Sequence, residues 1–153
     1  MNLKKFVIGT SVGGAAVFVA GFLLFTLPPF NDFYLYAMTS GPATGVPRES
    51  PLLWAVFLGA LSYGALVTLA IGSRPWSTGV GSGISTGAVV GFLIWFTADF
   101  MLFGISHVGT LTSTIVGPLV EMVPGAIAGG IIAAALGRVT MGQASTAAHA
   151  SRA

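Results

Sequence analysis

Residues 111–136 read LTSTIVGPLVEMVPGAIAGGIIAAAL, a run of 26 with a single charge, Glu121. About 20 mostly apolar residues are enough for a helix to cross the hydrocarbon of a bilayer. The run does not alternate apolar with polar, so it does not read as a strand of a membrane barrel. Gly117, Gly125 and Gly129 recur on a four-residue step, with Glu121 in the step that lacks a glycine. In a helix that spacing puts all four on one face. Small residues on one face let two backbones approach closely, which is how helices associate in lipid.

Three further stretches share this character. Phe6 to Leu27 ends at Pro28-Pro29, Leu52 to Ile71 follows Pro51, and Ser85 to Ile105 leads to a short connection at residues 106–110. Gly83, Gly87 and Gly91 form the stripe of the third span, Gly9 and Gly13 that of the first, and Ala60 and Gly64 that of the second. The pattern predicts an all-α, four-span transmembrane bundle with glycine-striped helix packing. Residues 1–138 form its one domain, with spans at 6–27, 52–71, 85–105 and 111–136, and residues 139–153 form a small, polar, disordered cytoplasmic tail. The same stripes fit packing within one bundle or between copies of it.

Bulk composition agrees. Six Lys or Arg and four Asp or Glu make the 153-residue chain 7% charged, where soluble domains carry about 25%. Mean hydropathy is +0.91. Ten charges cannot cover the surface of a soluble enzyme of this size, and a disordered chain would need the opposite balance. With no cysteine, disulfides, thiolate metal sites and Cys nucleophiles are excluded. No basic run exists that could neutralise a phosphate backbone, so nucleic acid is not a partner.

Orientation follows the positive charges. With four spans, Lys4, Lys5, Arg74, Arg138 and Arg152 share one side and Arg48 lies on the other. This predicts that both termini are cytoplasmic, with Trp54 and Trp76 as interfacial anchors. Lys4 and Lys5 precede the first span as they would in a signal peptide. Its apolar run is long for one, however, and cleavage after Ala20 would place Phe18 where a small residue is needed, so the reading is an uncleaved anchor. The outward loop of 28–51 carries Phe30, Phe33, Tyr34 and Tyr36, then a turn-rich GPATGVP stretch at 41–47. Gly21-Phe22-Leu23 in span one and Gly91-Phe92-Leu93 in span three form a faint internal echo.

Only Asp99 and Glu121 are charged residues inside spans. An ionisable group at the bilayer centre costs about 2.5–3.5 kcal/mol on insertion scales and is a functional candidate by default. Counted from the connection between their spans, both lie about 10–15 Å below the outer face. No Lys or Arg shares their layer. The pair could share a proton, bind a cation or open to outside water, and His107 at the top of the hairpin completes a candidate outward-facing cluster. The structural alternative is polar glue, with Asp99 bonded to Ser62, Tyr63 or Thr97 and Glu121 to a Ser or Thr hydroxyl. Pro118 and Pro124 flank Glu121 and remove two helix hydrogen bonds, which shapes the bundle or opens a pocket there.

Other chemistry finds no support. Gly79 to Gly83 alternates glycines without a phosphate-binding Lys and reads as a flexible loop entering span three. There is no HExxH and no Ser-His-Asp constellation, and one loop His with two carboxylates makes no metal site. No span holds a His to ligate haem. No cofactor and no catalytic residue is expected.

The stretches Asn2-Leu3-Lys4-Lys5-Phe6 through Gly13-Gly14, Ala43-Thr44-Gly45-Val46 leading to Trp54-Ala55, Asp99, and Ala126-Ile127-Ala128-Gly129-Gly130 resemble a group of small bacterial four-helix integral membrane proteins with no assigned function. The likeness covers most of residues 1–138. It implies the topology and residence in the bacterial inner membrane, and it implies no activity. The functional expectation is a non-enzymatic packing, accessory or self-associating membrane protein, whose partners are the lipid bilayer and either further copies of itself or a larger membrane complex. The alternative is a small transporter or channel-like protein that handles a proton or cation through Asp99 and Glu121.

Overall fold

A computed structural model describes residues 1–28, 32, 52–73, 79–105 and 110–150. They form four long helices: α1 (Leu3–Thr26), α2 (Leu53–Gly72), α3 (Val80–Ile105) and α4 (Leu111–Ala150). Each is long and apolar enough to cross a membrane, over Leu3–Leu24, Leu53–Gly72, Val80–Phe103 and Leu111–Arg138.

Local chemistry sets the helix ends. Asn2 caps α1, its side-chain oxygen accepting from the Lys5 amide at 2.9 Å, which satisfies a donor that has no partner within the helix. At the other end α1 stops at Thr26, ahead of the two prolines. The end of α2 is closed by the Ser73 amide, which donates to Leu69 O at 2.9 Å. Thr110 and Ser113 cap α4 reciprocally: the Ser113 amide donates to Thr110 Oγ1 at 3.1 Å and the Thr110 amide to Ser113 Oγ at 2.9 Å. This is a capping box with Ser in the place usually held by Glu or Gln.

Two boundaries differ from the sequence reading. Helix α3 begins at Val80, not Ser85, so Gly81 and Gly83 are helical where a flexible loop is expected. Glycine has poor helix propensity, but here packing against α4 outweighs it. Helix α4 continues to Ala150, through the segment expected to be a disordered tail. Residues 139–150 include four alanines with Met141 and Gln143, all good helix formers. They extend a helix that is already nucleated, so each added residue brings a hydrogen bond at no further nucleation cost.

Helix α3 lies most extensively against α4, and α1 against both α2 and α4. The contacts of α2 with α3 and α4 are slight, and among the described residues α1 and α3 do not meet. Helix α4 is therefore central. The core gathers Val17 of α1, Tyr63, Val67 and Ile71 of α2, and Ala128 and Ile132 of α4. Val67, Ala128 and Ile132 have no exposed surface. Around this core the outer surface is apolar, including Phe22, Trp54, Leu93 and Met101. A surface of this kind suits lipid and not water, and it marks a multi-pass membrane protein.

The echo between spans one and three does not extend to their surroundings. A methyl at Gly21 would stand in open space, whereas one at Gly91 would strike Tyr63 and the Glu121 backbone.

Candidate functional site

The α3–α4 contact is a seam of facing glycines. A Cβ at Gly83 would meet the Gly129 carbonyl oxygen, and one at Gly87 would meet that of Gly125. The reciprocal additions at Gly125 and Gly129 would strike Gly87 and Gly83. Backbone touches backbone along two helical turns, which only glycine permits at this separation.

One turn further the pairing changes character. A Cβ at Gly91 would lie 2.7 Å from the Glu121 carbonyl oxygen, and one at Gly117 would lie 2.8 Å from Asp99 Oδ2. Each acidic residue of the spans therefore sits across the seam from a glycine of the other helix. Gly117 and Glu121 are one turn apart on the same face of α4. The Asp99 carboxylate therefore lies across the seam at Gly117, one turn from Glu121. Glu121 is 9% exposed and Asp99 is half-buried. Between residues 95 and 103 of α3, Asp99 is the least exposed, while its neighbours are exposed.

Tyr63 of α2 reaches into the seam from the side. Its hydroxyl donates to the backbone carbonyl of Glu121 at 3.3 Å and fills the notch left by Gly91 and Gly125. The carbonyl lies in the turn that precedes Pro124. Pro124 takes the helix donor from the carbonyl four residues back, that of Val120, which is next in the chain to the carbonyl that Tyr63 bonds. Both Pro118 and Pro124 are fully buried, and α4 continues through them as one helix.

Of the hydroxyls that could bond the carboxylates, Tyr63, Thr68, Ser113 and Thr114 are engaged elsewhere. Tyr63 bonds the Glu121 backbone instead of Asp99. Thr114 Oγ1 and Ser113 Oγ both donate to Thr110 O at 2.8 Å, and Thr68 Oγ1 donates to Gly64 O at 2.7 Å. None of these four hydroxyls donates to either carboxyl group. No group of three metal-ligating side chains occurs among the described residues. His107 lies outside the described residues, as does most of the aromatic outer loop.

The place of Tyr63 had a signal in the sequence: it is the only tyrosine inside a span, and a buried phenol needs an acceptor. Which acceptor it takes depends on the register of three helices. Tyr63→Phe removes one neutral hydrogen bond and keeps the ring, so we expect a loss of about 0.5–1.5 kcal/mol, read as a modest fall in thermal unfolding temperature in detergent.

Comparison with known proteins finds no matching family model, no matching curated protein and no matching solved structure.

Proposed function

We propose that this chain is a non-enzymatic protein of the bacterial inner membrane, with both termini in the cytoplasm, that acts by packing with further copies of itself or within a larger membrane complex. The observation that carries this reading is the exposure of α3. Of the stretch that would lie in the membrane, 17% is buried in α3 against 39% in α4. In the outer half of α3, residues 95–98 and 100–103 are exposed and Asp99 between them is half-buried. A helix held along one line leaves most of its circumference to lipid or to another membrane helix. Glycine stripes hold the bundle itself together.

The cytoplasmic placement is supported by charge. Lys4 and Lys5 begin α1, and Arg138 ends the apolar part of α4. Gly13 of α1 packs on Ile132 of α4, so these three cations gather at one end of the bundle, as the positive-inside rule expects of a cytoplasmic face.

Native mass spectrometry from mild detergent or lipid nanodiscs tests the reading. The expected result is a dimer, a higher oligomer or a stoichiometric complex with another membrane protein. A lone monomer with nothing co-isolating would remove it.

A further inference from the structure

The second feature of the seam is chemical and independent of association. Glu121 is 9% exposed, and across the seam the Asp99 carboxylate lies against Gly117, one turn from Glu121 on the same face of α4. The titratable groups within the four helices' apolar spans are Tyr63 on α2, Asp99 on α3 and Glu121 on α4, with Lys4 and Lys5 in the first turn of α1 and Arg138 at the end of the α4 span. Two ionised carboxylates are acceptors only and repel each other. One proton changes this, because it turns one carboxyl into a donor for its neighbour.

We propose that Asp99 and Glu121 form an intramembrane proton-binding site, in which one proton is held between the two carboxyl groups. Asp99, half-buried, is the side open to exchange, and Glu121 is the enclosed side. Gly117 supplies the room, since a methyl there would press on Asp99 Oδ2. Tyr63 positions the α4 turn from which Glu121 projects. A proton fits this site better than a metal ion does. The pair offers four carboxylate oxygens and among the described residues no third His, Cys, Asp or Glu joins it, so a hard cation would have to complete its shell largely with water.

Infrared spectroscopy of the protein in lipid tests the site directly. At neutral pH the spectrum should contain the C=O stretch of a protonated carboxylic acid that shifts in D2O. The band should vanish in the Asp99→Asn/Glu121→Gln double variant and survive in Asp32→Asn. Absence of the band in the unaltered protein, or its survival in the double variant, overturns the proposal. If the double variant does not fold, the unaltered protein still decides. A hydrophobic carbodiimide adds to protonated carboxyls reached through the apolar phase, so peptide mapping should find the adduct on Glu121 or Asp99. No adduct at either position overturns the proposal, and so does full protection by millimolar sodium or calcium, which would make the ligand a metal cation.

Discussion

Gly87→Ala is expected to destabilise the folded protein by about 1–3 kcal/mol, whereas the same substitution at Gly59 is expected to be neutral or stabilising by up to about 1 kcal/mol. The two changes are chemically identical and both fall inside helices. At Gly87 the new methyl would collide with the carbonyl oxygen of Gly125 and lie 3.0 Å from the Gly129 Cα. These are backbone atoms, which no rotamer change can move. The helices must separate, and separation also loosens the Gly83–Gly129 contact one turn away. At Gly59 nothing lies within 4 Å of the added carbon, so only the gain in helix propensity remains. Thermal or denaturant unfolding in one detergent, with helix content as the readout, measures both. Equal responses at the two positions would mean that the α3–α4 seam does not hold the bundle.

Particular residues show how far the sequence could be read. The four spans were legible because each is a long apolar run with at most one charge, and a length requirement needs no knowledge of neighbours. The stripe of Gly117, Gly125 and Gly129 was legible as a face of one helix, and Glu121 as the member that breaks it. What stood opposite was not legible. That Gly91 faces Glu121 and Gly117 faces Asp99 follows from the antiparallel register of α3 on α4, a non-local quantity. The early start of α3 has the same cause. Gly79 to Gly83 looks like a loop because glycine is a poor helix former, and Gly83 is packed in the helix against Gly129 and Ala133, some fifty residues away. The extension of α4 to Ala150 is a different case. Its polarity suggests disorder, but the alanines of 144–150 have the propensity to continue a helix already formed.

The sharpest test of which solvent surrounds this fold is Ile127→Lys. Ile127 is 44% exposed, while its neighbour Ala128 has no exposed surface, so the side chain points out of the bundle. It lies near the middle of the apolar stretch Leu111–Arg138 of α4, about 15 Å from Arg138 along the helix. In water, a lysine on an exposed face away from other features would change stability by no more than about 0.5 kcal/mol. At the centre of a bilayer it costs about 2.5–3.5 kcal/mol on insertion scales, and a lysine side chain that far from the interface can recover only part of this by reaching toward it. Glu121 cannot offset the charge, because six residues along a helix place the two side chains on different faces. We therefore expect Ile127→Lys to lower the folded, membrane-inserted fraction by tenfold or more, measured by protease protection after expression in membranes, while Ile127→Leu leaves it unchanged. Membrane insertion unaffected by the lysine would mean that this face of α4 does not meet lipid. The outward apolar surface would then have to be covered by protein along the same line, which native mass spectrometry would register as an obligate oligomer.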